Sequence, residues 1–519
     1  MLKEHGSGST WVQLLLAALL LGGCKAPDAG LTEPIPAWAS ESIAYRLVID
    51  RFANGDASND SPIHDVDPAA NFLGGDLQGL QAKIESGFFT DLGVNLLIIS
   101  SPVSGPDTGG MRSDGHQGAN IEGGWPVETA EVDGRYGSPG DLASVIEAAH
   151  LRGIRVVLEY EARHVHESAP VFNAHPDWFT PAKILGDEIP WDGDEAERGW
   201  IAPYLPAFDF SKVSPLAWSV EAAVDWVAAT DADGVLLLDT KVLSSDWINA
   251  FHERFPRPSD RDILVLGDFF SGSYTDLLSK IDPDGGGLDG VIDYSARASI
   301  VSGILTGDSE LSIVADSLES AAGMSGGVLL NTVSGPQFGR GIHFAETPPL
   351  WPSAWDSGGL NAWSSLPAIS DEEAAYERLG LAYALAFAMP GIPVVFYGDE
   401  IGLHGGGNPD NLKSMPSDVP DAPAAKLREL VVDMANLRSS HPALREGSIE
   451  VLLAEGDALS LRLWTSDETL FLVLNRGDGS EEAGGLPAGS LIDLLGSGSY
   501  TGPTLTIPPR TVRILYLAD

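Results

Sequence analysis

At 519 residues, 44% of them hydrophobic, the chain is long enough for two or three domains with substantial cores. Its 74 acidic residues against 30 basic ones leave a net charge of −44, which repels phosphate backbones and argues against nucleic acid as a partner. A single cysteine excludes any disulfide within the chain.

Residues 1–24 read as a targeting segment: Lys3 gives the positive end, Trp11 to Leu21 the short apolar core, and Leu21-Gly-Gly-Cys24 the exit. The last four residues resemble a bacterial lipobox. Cleavage before Cys24 would leave it as a lipid-bearing N-terminus, so membrane attachment and export are expected. Lys25 stands where an aspartate accompanies inner-membrane retention, which points to the outer membrane. Residues 25–40, with Pro27, Pro34 and Pro36, read as a tether. No later run is long and apolar enough to span a bilayer.

Beyond the tether, Ile43 to Ile49 alternates and is β-rich, a first strand. It runs into Asp50 to Asp60, a loop dense in short oxygen ligands, and a second such loop, Leu73 to Gly79, follows. Hard cations take six to eight oxygens, which two meeting loops could supply, although Asn/Asp/Gly loops also form plain turns. Helical patterns cover 80–90, 139–152, 215–229 and 372–388. Buried strands cover 94–99, 153–158, 235–238, 263–266, 328–330 and 392–396, most ending in a polar cluster. Residues 165–210, irregular and rich in Pro and Trp, read as an insertion. Strand–helix alternation over about 350 residues predicts a closed (β/α)8 TIM barrel across 41–447, with chemistry at the C-terminal ends of its strands. From 448 to 519 short alternating strands predict an antiparallel β-sandwich.

The motifs within this frame resemble those of the α-amylase family, glycoside hydrolase family 13. They are Asp50-Arg-Phe-Ala-Asn-Gly-Asp56, Gly74-Gly-Asp-Leu-Gln-Gly79, Tyr136-Gly-Ser-Pro-Gly-Asp141 and, most specific, Met389-Pro-Gly-Ile-Pro-Val-Val-Phe-Tyr-Gly-Asp-Glu-Ile-Gly402. The resemblance covers roughly 43–519 and implies calcium held by Asn54, Asp56, Asn59, Asp60, Gly74 and Asp76, pinning the first loop.

It also implies a retaining mechanism, with two carboxyl groups roughly 5 Å apart. The family places its nucleophile in Asp-Gly-Phe-Arg-x-Asp-x-x-Lys-His. Laid on Asp233-Gly234 without a gap, Lys241 matches the lysine, but Leu236 replaces the arginine, Leu238 the nucleophile and Val242 the histidine. Asp239 comes one residue late, and one residue of slip turns a strand side chain to the opposite face unless a bulge returns it. Asp268 takes the acid/base glutamate's place, one methylene short; a misplacement of about 1 Å can cost about 100-fold. Asn331-Thr-Val-Ser334 lacks the third acid, and of the Asp-x-x-x-Asn-His pattern at Glu159-Tyr-Glu-Ala-Arg-His164 only His164 matches.

Two readings follow. In the first, the barrel is a carbohydrate-binding relative without the family's reaction, its α-glucan ligand stacked and held by Trp125, Trp178, His164, Lys241 and Tyr397. In the second, it is an active retaining glycosidase with Asp239 as nucleophile, Asp268 as acid and Glu159 or Glu161 assisting. Asp239 in the pocket with Asp268 favours the second; Asp239 turned toward the helices favours the first.

Overall fold

Eight parallel strands close into a barrel in strict chain order: β1 (Ala44–Leu47), β2 (Leu96–Ile99), β3 (Arg155–Tyr160), β4 (Gly234–Leu237), β5 (Leu264–Gly267), β6 (Gly290–Ile292), β7 (Val328–Thr332) and β8 (Ile392–Phe396). β8 pairs back onto β1 with Val394 opposite Ala44, so the sheet has no free edge. The computed structural model describes residues 35–518 except 194, 255–262, 283–286, 324–325 and 419–421. The expected signal segment, most of the tether and Cys24 lie outside the described residues.

Alternate strand residues turn inward and fill the barrel: Ala44, Ile98, Val157, Leu236, Leu266, Ile292, Leu330 and Val394 pack as one apolar plug. Their neighbours, including Val235 and Leu237 on β4, face the surrounding helices. Those helices follow the expected pattern with shifted ends: Leu77–Glu85, Pro139–Leu151, Val213–Thr230 and Glu373–Ala388. Ser138 and Asp141 cap the second of them reciprocally, which fixes where β2 hands over to its helix.

β6 escaped the sequence reading. Its three residues sit between Asp289 and Asp293, too short a run to show periodicity. Pairing supplies what composition does not, with Gly290 opposite both Leu266 and Val328. A Cβ on Gly290 would lie 2.2 Å from the Val328 carbonyl oxygen, so close strand approach requires glycine there.

The stretch 165–210 holds only a short helix, Pro170–Ala174, brief turns and isolated bridges such as Phe179 with Phe208. It folds over the C-terminal end of the barrel and brings Ile201 and Leu205 to its mouth.

The C-terminal region adds β9 (Ser448–Glu455), β10 (Ala458–Trp464), β11 (Thr469–Asn475), β12 (Glu481–Ala483), β13 (Ser490–Asp493), β14 (Ser499–Thr501), β15 (Leu505–Ile507) and β16 (Thr511–Leu517). Six form one sheet, ordered β9-β10-β11-β16-β13-β14, and β12 with β15 forms the facing pair. The two-residue period of β11 divides its side chains cleanly: Leu470, Leu472 and Leu474 join the core shared with the barrel, while Phe471 and Val473 fill the sandwich. Among the described residues no helix is long and apolar enough to cross a membrane.

Candidate functional site

Above the apolar plug, the next inward-facing residues are polar, and they open into a cavity of about 290 Å3 at the C-terminal mouth of the barrel. Arg46, Glu159, Glu161, Leu238, Asp239 and Asp268 line it from the strand ends; Glu122, Trp125, Leu205 and Gln337 line it from the loops.

Asp268 is held on both oxygens. Tyr294 donates its hydroxyl to Oδ1 at 2.7 Å, Gln337 donates Nε2 to Oδ2 at 3.0 Å, and Arg46 reaches Oδ2 at 3.2 Å. Arg46 also donates Nε to Glu159 at 2.7 Å, so one guanidinium bridges the ends of β3 and β5 from β1. Burial raises the Glu159 carboxyl while Arg46 opposes the rise. Burial likewise raises Glu122, which accepts from Asn408 at 2.9 Å.

On β4 the alternation breaks. Leu236 points into the plug and Leu238 into the mouth, so alternation would send Asp239 toward the helices. Instead Asp239 adopts a left-handed backbone, φ 50° and ψ 32°, and its side chain enters the cavity beside Leu238. The expectation that one residue of slip hides Asp239 is thereby corrected: the strand ends at Leu237, and beyond it the period-two rule no longer applies. Aspartate is one of the few residues that tolerate this region, because its short side chain bonds locally.

Asp239 does not stand alone. Single ligand atoms of Asp239, Glu161 and His164 all lie within 4.8 Å of one another. Burial raises the Asp239 carboxyl, with Arg163 opposing and Asp268 adding to the rise. Burial raises Glu161 much further, with the Asp239 charge next in importance. A buried and a half-buried carboxyl group this close repel as anions, and Arg163, wholly buried between β3 and the insertion, only partly offsets that. His164 is pushed down to about 3 by burial and then by Arg163, so its ring is neutral.

The other expected contacts divide. Trp125 and His164 line the mouth; Trp125 packs edge-on against Tyr204 at 5.0 Å. Lys241 does not line it: the turn after Asp239 carries it outward to an ion pair with Asp192 of the insertion at 2.8 Å. Tyr397 is fully buried behind β8, its hydroxyl donating to the Lys413 carbonyl at 2.9 Å and its ring under Arg340. Trp178 stacks on His175 at 4.1 Å within the insertion. Arg46, Tyr294 and Gln337 were not anticipated. A lone arginine inside the alternating Ile43–Ile49 run was the signal for the first; Tyr294 opens the helix Tyr294–Ile300 and Gln337 sits in a turn, positions the strand pattern does not mark.

The two oxygen-rich loops do meet. Asn54 donates to both oxygens of Asp60 at 2.9 and 3.0 Å, and Gly74 lies against both side chains with φ 91°. The Asn59 side-chain oxygen is buried without a hydrogen-bond partner. Asp76, by contrast, spends its oxygens on the amides of Gly55, Asp56 and Gly79, capping the helix Leu77–Glu85. Asp56 accepts from the Ser58 amide at 2.9 Å.

No family model matches the chain. A cyclomaltodextrinase from a Bacillus species is 25% identical over 490 residues, 90% of this chain and 76% of that protein. A cyclomaltodextrin glucanotransferase from Geobacillus stearothermophilus is 21% identical over 496 residues, 90% of this chain and 64% of that longer protein. Among solved structures, an α-amylase from Geobacillus thermoleovorans complexed with acarbose superposes with a TM-score of 0.76 at 22% identity, covering 93% of this chain and 99% of that one. Homologues and structural neighbours alike are enzymes of the α-amylase family, and the chain carries their eight-stranded parallel barrel and C-terminal antiparallel domain.

Proposed function

We propose that the barrel mouth binds α-glucan chains and that the two-carboxylate reaction of the family does not run there at the family's pace. One observation carries this reading: although Asp239 reaches the pocket that holds Asp268, Leu238 points into the mouth at the nucleophile's own place. A retaining glycosidase needs an ionised nucleophile. Asp239, nearest the nucleophile's place, is the carboxyl that burial drives toward its protonated form. Asp268, at the acid's place, accepts from three donors, one of them a guanidinium. The relatives named cyclomaltodextrinase and cyclomaltodextrin glucanotransferase, and the acarbose bound to the neighbouring α-amylase, support an α-glucan as the ligand class. Trp125 offers the stacking face, and Asn120, which accepts from its amide at 2.9 Å, holds its backbone.

The test is calorimetric titration with maltoheptaose and β-cyclodextrin beside a reducing-sugar assay on starch and both ligands. Binding without turnover supports the proposal. Turnover that disappears in both Asp239→Asn and Asp268→Asn would refute it.

The left-handed turn at Asp239 favours a second reading, a glycosidase with a relocated pair, because it returns a carboxyl to the cavity that holds Asp268. Under that reading the same two variants abolish a measurable rate.

Two further features belong to this reading. Asn54, Asn59, Asp60 and the Gly74 carbonyl suit a calcium ion, and the unpartnered Asn59 oxygen supports it. Bound there, calcium would tie the β1 loop to the loop before the helix Leu77–Glu85; a chelator should then lower the melting temperature. Export with a lipid on Cys24 accounts for the segment Lys3 to Cys24, and metabolic labelling with palmitate, lost in Cys24→Ser, tests it.

A further inference from the structure

Three of the groups in the mouth are arranged in a way that sugar binding does not explain. His164 is 2% exposed. Its Nε2 lies 2.8 Å from the Gly124 carbonyl oxygen, which can only accept, so Nε2 carries the ring's proton. Nδ1 is left with its lone pair and has no hydrogen-bond partner. That lone pair faces Glu161, whose Oε1 is 3.2 Å away, and the Asp239 carboxyl completes a group within 4.8 Å. A lone pair and two carboxyl groups thus converge on one spot.

We propose that Glu161, His164 and Asp239 form a binding site for a divalent transition-metal ion of the zinc class. The donor set, one imidazole nitrogen and two carboxylate oxygens, is the mixed N/O set such ions take, with a position left open to the cavity. At metal–ligand distances of about 2.0–2.1 Å, adjacent ligand atoms of a tetrahedral site stand roughly 3.3 Å apart. The observed 3.2 Å between Nδ1 and Oε1 meets this without movement, and Asp239 closes the remainder by side-chain rotation. The Gly124 carbonyl is the outer partner that metal-bound histidines use to fix tautomer and ring plane. Glu161 is oriented in turn by the amides of Arg163 at 2.7 Å and His164 at 3.2 Å.

The charge of the mouth agrees. Glu122, Glu159, Glu161, Asp239 and Asp268 face Arg46, Arg112 and Arg163, two negative charges in surplus. A divalent cation cancels that surplus; otherwise protons must do so, which is the direction in which burial pushes Glu161 and Asp239. Asp239 also holds a left-handed backbone conformation, an arrangement that strand ends adopt where a side chain must be re-aimed.

The site stands apart from the α-glucan reading, since it is tested without sugar. Chelator-stripped full-length protein is titrated with zinc chloride at pH 7 in two buffers of different ionisation enthalpy. One equivalent bound with proton release is expected, because carboxyl groups ligate as carboxylates and any proton they carry passes to the buffer. His164→Ala and Asp239→Asn should each weaken binding by roughly 10-fold or more. No zinc binding, or unchanged affinity in both variants, overturns the proposal; the second result would place the ion elsewhere, the Asn54–Asp60 loops included. Where a variant fails to fold, cobalt(II) in the unaltered chain decides: nitrogen ligation in its magnetic-resonance spectrum supports the site, and oxygen-only ligation overturns it.

Discussion

Three buried carboxylates in the frame of the barrel and two in its mouth take different kinds of partner. In the frame, Asp50 accepts from the amides of Leu73 and Gly74, Asp76 from those of Gly55, Asp56 and Gly79, and Asp289 from that of Val265. In the mouth, Asp268 and Glu159 accept from the side chains of Arg46, Tyr294 and Gln337. A main-chain partner stays put whatever its residue becomes, so Asp50, Asp76 and Asp289 are tied to the fold itself. Side-chain partners exist only as a set, and a set can be exchanged while the barrel stands.

The comparison is broken most directly at Arg46. Removing it leaves Glu159 and Asp268 buried without their cation, and Arg46→Met should cost about 4 kcal/mol in urea denaturation. Adding Glu159→Gln and Asp268→Asn should restore most of that loss, because the mouth's set is replaceable as a whole; no recovery would mean that Arg46 belongs to the frame.

Glu400 tests the frame through pH. It is fully buried, accepts from the Tyr45 hydroxyl at 3.0 Å, and burial raises it from its ordinary value to about 7. The folded state therefore holds this proton more tightly than the unfolded chain. The resulting stability is complete below about pH 4.5 and is lost as pH rises through 7, an effect of roughly 3 kcal/mol. Denaturation midpoints at pH 5 and pH 8 should draw closer together in Glu400→Gln.

Asp76→Ala should cost about 2 kcal/mol, one part from the lost helix cap and one from loop amides left without an acceptor. Thermal denaturation checks it, and the loss should be smaller in Asp76→Asn. The smallest effect is expected at Trp125: Trp125→Ala should weaken maltoheptaose binding by about 10-fold, or about 1.4 kcal/mol, with the melting temperature unchanged. A large drop in stability instead would assign Trp125 to packing.

Much of the frame was legible from residue order. Seven barrel strands were visible, the first as an alternating run and six as buried apolar ones, and four of the helices as helical patterns. The inward-facing position of Leu236 on β4 was legible too, and Leu238, just past the strand's end, turns into the mouth. The mouth was read less well. Tyr397 follows β8 in a polar cluster, yet the turn at Gly398, φ 84°, folds its ring back beneath Arg340. Lys241 matches the family's lysine by spacing, yet its ammonium goes to Asp192.

Residue order by itself determined the barrel and its inward and outward faces, because hydrophobic periodicity is local. Only the tertiary structure decided which carboxyl groups meet. Asp239 enters the mouth through one backbone angle beyond the end of a strand, and Arg46 finds Asp268 across 222 residues of chain. Neither a single dihedral nor a long-range pairing leaves a periodic mark on the sequence; both are set by how the strand ends pack together at the top of the closed barrel.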